Sequence, residues 1–365
     1  MNEYKVPSMK DIENLKWNGF NVVSTFSGGG GSCLGYRMAG YRILYANEFV
    51  EEAQKTYKLN HKTSYLDTRD IRDVTAESIL NKINLKVGEI DIFDGSPPCC
   101  AFSTAGSREK GWGMKRKYSD NKIQRIDDLF FEYTRLLKDL QPKVFVAENV
   151  YGLVQGKAKG YFNEIISTLK KCGYDVKASI LNAMWLGVPQ NRKRCIFIGV
   201  RKDLNLQPVF PKPLNYYYTL NDAFKNLEND SEQEKMLLEI IKKYKIADVL
   251  KKLPKNPKRA IQGSKVMDGS YFNLVRESLY QPCSTICQLN GQESKSGNCH
   301  PLYDRKFTIP ELKRITSIPD DFILTGTFAQ QWERLGRMVP PIMMMNISKT
   351  ILNEILLKVG DKNSR

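Results

Sequence analysis

Short apolar runs alternate with amphipathic segments from about residue 21 to residue 200. An apolar run bounded by polar or glycine-rich residues predicts a buried strand, and apolar positions three or four residues apart predict a helix. Alternating strands and helices are typical of a mostly parallel sheet with helices on both faces, so we expect a doubly wound α/β fold. The predicted strands lie near 21–26, 42–47, 89–94, 143–148, 175–181 and 194–200, and the predicted helices lie near 33–39, 50–58, 73–83, 127–140 and 160–172.

The pattern changes after residue 201. Several prolines and the aromatic run Tyr216–Tyr218 end the alternation, which predicts that a second, smaller and more irregular domain begins there. Near residue 302 the pattern becomes regular again, and a final helix is expected to return to the first domain. Within the later part of the chain, 230–253 predicts basic helices, 264–299 predicts short strands and loops, and 341–359 predicts the returning helix.

Composition narrows the class of protein. The chain has 365 residues, of which 41% are apolar, enough for one large core and a smaller one. It has no apolar run of roughly 18 residues and no apolar segment near its start, so we expect a cytoplasmic protein without a membrane partner. Its eight unpatterned cysteines favour reduced thiols, and a net charge of +16 favours a polyanionic partner.

The sequence predicts one nucleophilic cysteine. Cys99 follows Pro97 and Pro98 directly after the strand predicted near 89–94, a position suited to attack on a ligand rather than to packing. A nucleophilic thiol needs a lowered pKa, an acid to receive charge and a group to transfer. The adjacent Cys100 is expected to be a packing residue.

An acid and two cations follow at other predicted strand ends. Glu148 and Asn149 end the strand near 143–148, while Arg192 and Arg194 lead into the strand near 194–200. Ligands of open α/β sheets bind at the carboxyl ends of the strands. We therefore expect these side chains to form part of a site.

The first predicted strand runs into a glycine-rich turn, from Phe26 to Ser32, and then into a helix. Glycines there let the backbone approach a ligand closely. Glu48 lies about 20 residues further on, where an acid in such folds binds ribose hydroxyls. The turn lacks the pattern of a triphosphate-binding loop, so the expected ligand is another nucleotide-like molecule.

Taken in order, these motifs resemble the DNA (cytosine-5) methyltransferase family of prokaryotic type. The glycine-rich turn alone would be weak evidence for this family, but its combination with Pro-Cys, Glu-Asn-Val and Gln-x-Arg-x-Arg is specific to it. The similar segments run from about 22 to 200 and from about 285 to 351. The resembling motifs are Phe26–Gly31, Pro98–Cys99, Glu148–Val150, Gln190-x-Arg192-x-Arg194 and Arg305-x-x-Thr308-x-x-Glu311.

The resemblance implies a Rossmann-like fold and three functional segments along the chain. Residues 1–201 would form a catalytic domain that binds S-adenosylmethionine, 202–304 a target-recognition domain, and 305–365 the return to the catalytic domain. The cofactor set implied is Phe26, Gly28, Gly30 and Gly31 at the methionine end, Glu48 at the ribose, Phe49 stacked on adenine, Asp70 and Ile71 beside the adenine amino group, and Pro98, Leu129 and Val339 closing the pocket.

The implied reaction methylates C5 of a cytosine. Cys99 would add to C6 of the ring, and Glu148, oriented by Asn149, would stabilise the charge near N3. Arg192 and Arg194 would hold the flipped nucleotide and keep Cys99 ionised, or would contact phosphate only.

The implied partner is double-stranded DNA, from which the target base must be flipped. A basic stretch after the nucleophile is expected to close over the base, and a threonine in the second domain is expected to contact the nucleotide backbone. We expect a monomer that either protects DNA from a partner restriction endonuclease or acts alone. The predicted DNA contacts are Ser103, Arg108, Lys110, Lys115, Arg116 and Thr285.

Several alternatives stay open at this point. Cys100 stands where the family usually has glutamine, and Arg337 where it usually has asparagine. Cys283, Cys287, Cys299 and His300 could form a zinc site, although their spacing is irregular and no metal is expected. The rival functions are an RNA (cytosine-5) methyltransferase and a DNA-binding module without activity. Phe102-Ser103 after the Pro-Cys segment favours DNA over RNA, and retention of the nucleophile, acid and glycines favours an enzyme.

Overall fold

The computed structural model describes residues 3–98, 129–155, 159–242, 246–267, 271, 273–288 and 296–359, together with the backbone of 115–117, 123–125 and 360–362. Contacts divide the chain into two compact units. The sheet unit comprises Ile12–Leu181, Lys193–Lys212 and Met344–Arg365, and the second unit comprises Met1–Asp11, Asn182–Arg192 and Pro213–Met343. The functional division at 1–201, 202–304 and 305–365 stays a prediction.

Strands and helices alternate in the order expected from the apolar pattern. The strands are β1 (Asn21–Thr25), β2 (Arg42–Asn47), β3 (Tyr65–Asp67), β4 (Ile92–Gly95), β5 (Lys115–Lys117), β6 (Ile123–Arg125), β7 (Val144–Val150), β8 (Tyr174–Asn182), β9 (Gln190–Asn191), β10 (Lys193–Arg201), β11 (Ile261–Gln262), β12 (Leu274–Arg276), β13 (Cys283–Ser284) and β14 (Gly297–Cys299). The helices are α1 (Met9–Glu13), α2 (Gly31–Met38), α3 (Glu51–Asn60), α4 (Ala76–Ile83), α5 (Leu129–Leu140), α6 (Lys159–Lys171), α7 (Leu220–Phe224), α8 (Ser231–Lys242), α9 (Ile246–Lys252), α10 (Ile309–Ile315), α11 (Phe328–Arg337), α12 (Pro341–Ile351) and α13 (Leu357–Lys362), the last two joined by a π-helical turn at Leu352–Leu356.

A seven-stranded sheet, in the order β3-β2-β1-β4-β7-β10-β8, organises the sheet unit. The pairs β2/β3, β1/β2, β1/β4 and β4/β7 are parallel, and β10 runs antiparallel to β7 with Ile196 opposite Glu148. This confirms the predicted mostly parallel, Rossmann-like α/β fold. Strand β3 was not predicted, because it has three residues and no buried apolar run.

Helices α4, α5 and α6 cover one face of this sheet. Their apolar side chains form a continuous core with Val23, Phe93, Phe145 and Phe197 from four strands. The alternate strand residues, which point to the opposite face, are buried as well, so both faces are covered. Near-continuous apolar strands are what a sheet buried on both faces requires.

The second unit is built from short helices and small sheets. Helices α8 and α9 confirm the helical prediction for 230–253, and strands β12, β13 and β14 confirm the short strands expected within 264–299. Strands β12 and β14 form a three-stranded sheet with β11. Arg305 and Glu311 form a buried ion pair of 2.8 Å, and the Thr308 side chain caps α10 by accepting from the Glu311 N–H. The Arg-x-x-Thr-x-x-Glu motif therefore stabilises the start of α10.

No helix within the described residues is both long and apolar enough to cross a membrane.

Candidate active site

The glycine-rich turn after β1 has a backbone conformation that few sequences allow. Phe26, Gly28 and Gly30 all have positive φ angles, of 53°, 56° and 92°. Such a φ is uncommon for a bulky residue such as Phe and persists only where surrounding contacts enforce it. Gly31 then begins α2. Backbone strain of this kind is concentrated at ligand-binding sites.

Glu48 fixes the turn from the end of β2. Its buried carboxylate accepts hydrogen bonds from the Gly28 N–H at 2.6 Å and from the Val50 N–H at 2.7 Å, one on each oxygen. A carboxylate oxygen has more than one lone pair, so both can still accept from a ligand hydroxyl. A side chain built on Gly28 would meet no atom within 4 Å, so there is open space beside the turn.

His61 supports the same turn and was not predicted from the sequence. Its ring stacks on Tyr57 with centroids 4.4 Å apart, and a Cβ on Gly30 would collide with it. Burial lowers the pKa of His61 to about 3, so the ring is neutral at physiological pH. No sequence signal distinguishes this histidine from a packing residue at the end of α3.

The residues predicted to line the adenine pocket are either partly exposed or part of the apolar core. Phe49 is half-buried and packs against Val50 at the start of α3. The Asp70 carboxylate accepts from the backbone and guanidinium of Arg72, at 3.1 Å in each case. Ile71 and Leu129 are buried members of the apolar core described above.

The segment leading to the predicted nucleophile is tied to the neighbouring strand. Strand β4 is followed by Pro97, which is buried, and Pro98, which is half-buried. The Asn149 amide donates to the Pro97 carbonyl oxygen at 3.3 Å, and its own oxygen accepts from the Val150 N–H at 2.8 Å. Cys99 lies outside the described residues. The predicted role of Asn149, orienting Glu148, stays a prediction, and its contact with Pro97 is an additional finding.

Glu148 and Arg194 form an ion pair across the antiparallel strands β7 and β10. The Arg194 Nε lies 2.7 Å from the Glu148 Oε1, and both side chains are about one-eighth exposed, at 13% and 12%. This contact fixes the direction of the Glu148 carboxylate. Burial, with a contribution from Glu148, raises the pKa of the nearby Cys195 to about 12, so that thiol is protonated and unsuited to attack.

Arg192 lies in the second unit, although it is two residues from Arg194. Its guanidinium donates to the carbonyl oxygens of Ile286 at 3.0 Å and Gly336 at 2.8 Å, and the side chain is buried. Arg194 thus pairs with Glu148, whereas Arg192 donates to backbone carbonyl oxygens. Arg192 joins segments of the second unit that are remote in sequence, and a direct role toward substrate stays a prediction.

Three further predicted or unusual positions belong to the second unit. The Thr285 hydroxyl donates to the Asn191 carbonyl oxygen at 2.7 Å, which fixes the strand segment that carries it. Val339 is buried. Arg337 forms an ion pair of 2.6 Å with Glu333, one helical turn earlier.

Half of the predicted DNA-contacting residues lie outside the part of the chain that the structure describes. Ser103, Arg108 and Lys110 lie outside the described residues. Lys115 and Arg116 lie on strand β5, which pairs with β6 as a short antiparallel ribbon.

Asp94, at the end of β4, is a buried acid that sequence reasoning did not single out. Its carboxylate accepts hydrogen bonds from the hydroxyls of Ser24 at 3.0 Å, Ser32 at 2.9 Å and Tyr36 at 3.2 Å. The available signal was an acid inside an otherwise apolar strand. Such a residue is buried only where it is hydrogen-bonded.

The candidate zinc ligands are also partly placed. Cys283 and Cys299 are buried, and the His300 Nδ1 accepts from the backbone N–H groups of Leu302 and Tyr303. Within the part of the chain that the structure describes, no three His, Cys, Asp or Glu side chains are grouped so as to hold a metal ion.

The mostly parallel sheet carries the glycine-rich turn and the buried Glu48 at the carboxyl ends of neighbouring strands. This arrangement is typical of α/β enzymes that bind a nucleotide-like ligand at this edge of the sheet. The model for C-5 cytosine-specific DNA methylases matches residues 20–353. The chain therefore belongs to the C-5 cytosine-specific DNA methylase family, and it is a DNA cytosine-5 methyltransferase.

Relatives match over nearly the whole chain. The Type II methyltransferase M.FnuDI of Fusobacterium nucleatum is 31% identical over 90% of this chain and 93% of its own length. The Type II methyltransferase M.NgoPII of Neisseria gonorrhoeae is 28% identical over 94% of this chain and 98% of its own length.

Solved structures share the fold. A prophage-encoded E. coli protein, described as a candidate DNA modification methyltransferase, superposes with a TM-score of 0.70 at 24% identity, covering 92% of this chain and 99% of its own. The Dnmt2 methyltransferase of S. pombe superposes with a TM-score of 0.61 at 17% identity, covering 94% of this chain and 99% of its own.

Proposed function

We propose that this enzyme transfers a methyl group from S-adenosylmethionine to C5 of a cytosine flipped out of duplex DNA, through a transient covalent bond between Cys99 and C6. One observation carries the proposal. Strands β4 and β7 are parallel neighbours, and the Asn149–Pro97 hydrogen bond joins their carboxyl ends. The segment that leads to Cys99 therefore begins beside the strand that carries Glu148.

The chemistry requires both residues. C5 of cytosine is a poor nucleophile, and addition of a thiolate at C6 makes the ring enamine-like. The negative charge that this places on the ring would be stabilised by a proton shared between N3 and the Glu148 carboxylate. After C5 has received the methyl group, its proton passes to water, the Cys99 thiolate leaves C6 and the N3 proton is released, which restores the aromatic ring. Arg194 holds the Glu148 carboxylate in one direction throughout.

The residues around the glycine-rich turn fit the proposed methyl donor. Gly28 leaves open space beside the turn, and Glu48 offers two fixed carboxylate oxygens to a ribose. When bound, S-adenosylmethionine supplies an electrophilic methyl group on a sulfonium. Phe49, half-buried at the start of α3, would stack on adenine, and Ile71, Leu129 and Pro98 would supply apolar surface.

Binding to duplex DNA is supported by charge. The net charge of +16 favours a polyanion, and neutralising phosphates dominates the affinity of most DNA-binding proteins. The target carbon cannot be reached inside a stacked duplex, so the base is flipped at a cost of a few kcal/mol. We assign the basic stretch from Ser103 to Arg125 to closing over that base, and Thr285 to a backbone contact.

The relatives' names support a biological role. M.FnuDI and M.NgoPII are both Type II methyltransferases. We propose that this enzyme is the modification member of a Type II restriction-modification system, with a partner endonuclease that cuts the unmethylated site. Such an enzyme works as a monomer on cytoplasmic DNA, because the modification site on a hemimethylated duplex needs one methyl group.

The test compares substrates directly. Purified protein is incubated with isotopically labelled S-adenosylmethionine and either duplex DNA or tRNA, and bisulfite sequencing then reports the modified base and its context. We expect methylation of duplex DNA at a defined sequence. Activity on tRNA with none on duplex DNA would favour the RNA methyltransferase instead.

Two variants test the nucleophile. Cys99→Ser is expected to abolish methyl transfer and to leave DNA binding measurable. Cys100→Ser is the matched control, because it changes the adjacent thiol, and it is expected to retain activity. A fully active Cys99→Ser enzyme would overturn the assignment.

A further inference from the structure

Asp94 joins the two ends of the glycine-rich turn. Ser24 lies on β1 before the turn and Ser32 lies on α2 after it, and both hydroxyls donate to the same Asp94 oxygen, at 3.0 and 2.9 Å. Tyr36, one turn further along α2, donates to the other oxygen at 3.2 Å. The carboxylate therefore fixes the spacing between the end of β1 and the start of α2.

The contacts continue into the turn itself. The Ser27 hydroxyl lies 3.1 Å from the Ser24 hydroxyl and 3.3 Å from the Ser24 carbonyl oxygen. Ser27 is flanked by Phe26 and Gly28, two residues of the turn that have positive φ. A positive φ strains a bulky residue such as Phe26 and needs contacts that enforce it. The hydroxyl network centred on Asp94 supplies such contacts.

Among the residues that the structure describes, no lysine or arginine forms an ion pair with Asp94. The titratable groups that face it are Cys33 and Tyr36 from α2, Tyr133 from α5 and Glu148 from β7. Burial, with a smaller contribution from Glu148, raises the pKa of Asp94 to about 6. The carboxyl group therefore changes charge close to neutral pH.

We propose that Asp94 is a positioning residue whose ionised carboxylate holds the turn at residues 26–30 in the conformation that binds the cationic methyl donor. The inference rests on the proposed use of S-adenosylmethionine. An ionised carboxylate accepts hydroxyl hydrogen bonds more strongly than a protonated one, and it also favours a positively charged ligand. Donor affinity therefore rises as Asp94 loses its proton.

The experiment measures donor binding by calorimetry, without DNA and without turnover, between pH 5 and pH 7. For the wild type, the Kd of S-adenosylmethionine is expected to fall about tenfold over this range, the effect of one charge-assisted hydrogen-bond network. For Asp94→Asn, which keeps the size of the side chain and cannot ionise, the Kd is expected to be weaker at pH 7 and nearly independent of pH.

Asp91→Asn is the matched control. Asp91 is also buried and precedes the same strand at its other end, where it binds the Asn21 N–H at 2.8 Å and pairs with Lys143 at 2.7 Å. Its loss is expected to reduce stability without changing the Kd or its pH dependence. Comparison with S-adenosylhomocysteine, which lacks the sulfonium charge, separates the two effects of ionisation. Loss of turn geometry weakens both ligands, and loss of the negative charge weakens the cationic one more.

The outcomes separate this inference from the proposed function. If the wild type does not bind S-adenosylmethionine at any pH, the proposed donor is wrong. If the wild type binds it and Asp94→Asn binds it equally well with the same pH profile, the role of Asp94 is wrong and the donor stands. If Asp94→Asn does not fold, Ser32→Ala decides, because removing one hydroxyl should weaken binding about threefold. An unchanged Kd for folded Ser32→Ala would then overturn the inference.

Discussion

The Asn149 side-chain amide donates a hydrogen bond to the Pro97 carbonyl oxygen at 3.3 Å. This contact joins the end of the strand that carries Glu148 to the segment that leads into Cys99. An acid and a nucleophile that act on one ring must keep a fixed separation, and side-chain displacements of about 1 Å can cost about 100-fold in rate. Asn149 is thus placed to fix the distance between Glu148 and the segment that leads to Cys99.

Replacement of Asn149 by alanine is therefore expected to reduce kcat about 10-fold to 100-fold. Donor binding should not change, because the side-chain hydrogen bonds of Asn149 are with Pro97 and Val150. Single-turnover methylation measures the rate, and calorimetry with S-adenosylmethionine measures the Kd. Equal effects on kcat and on donor binding would indicate general disruption instead.

Replacement of Glu48 by alanine is expected to weaken binding of the methyl donor. The Gly28 and Val50 N–H groups lose their acceptor, and the proposed ribose contact is lost too, so donor affinity should fall about 10-fold to 100-fold. Glu51→Ala is the matched control. Its side chain is 55% exposed and pairs with Lys55 at the surface, so the donor Kd should stay unchanged.

Replacement of Arg192 is expected to lower mainly stability, and replacement of Arg194 mainly activity. Arg192→Ala leaves the Ile286 and Gly336 carbonyl oxygens without their buried donor, so the free energy of unfolding should fall by about 2–4 kcal/mol. Arg194→Ala removes the partner of Glu148 at a partly exposed site, so it should lower kcat with a much smaller loss of stability. Denaturant unfolding and methylation rates of both variants test this. A larger loss of stability in Arg194→Ala would contradict it.

Asp94 makes stability depend on pH. Its pKa is raised from 3.8 to about 6, so the folded protein holds this proton more tightly than the unfolded chain does. The resulting stabilisation is fully present below about pH 3.8 and is lost as the pH rises through about 6. The shift corresponds to about 3 kcal/mol.

The free energy of unfolding of the wild type, measured relative to that of Asp94→Asn, is therefore expected to decrease by up to about 3 kcal/mol between pH 4 and pH 8. Urea unfolding of both proteins across this range measures the difference. A difference that does not vary with pH would show that Asp94 does not titrate there. The expected loss of stability is a cost of keeping a carboxylate beside the proposed donor site.

The sequence predicted most of the sheet, whereas the contacts of the predicted site residues come from the structure. Apolar runs predicted six of the seven strands of the main sheet, whereas β3, with Tyr65 41% exposed, carries no such signal. Motif order singled out Glu48 and Glu148, and their roles stay predictions. It could not show that Arg192 binds carbonyls 94 and 144 residues away, because those contacts depend on how the second unit folds.

The contacts of Asp94 could not be predicted from the sequence either. In the sequence it looks like the last residue of an apolar strand, and its partners Ser24, Ser32 and Tyr36 lie 58 to 70 residues earlier. Only the parallel pairing of β1 with β4 brings the acid beside the turn. Hydrogen bonding between remote positions leaves no periodicity for a sequence pattern to detect.

The most direct test of the account is covalent trapping. A duplex carrying 5-fluorocytosine at the methylated position, identified by bisulfite sequencing, is incubated with enzyme and S-adenosylmethionine, and the adduct is located by peptide mass spectrometry. Fluorine at C5 cannot leave as a proton does, so the ring stays bound to the attacking sulfur. We predict a stable adduct at Cys99, absent in Cys99→Ser and present in Cys100→Ser. Absence of an adduct, or an adduct through another residue, would contradict the proposed mechanism.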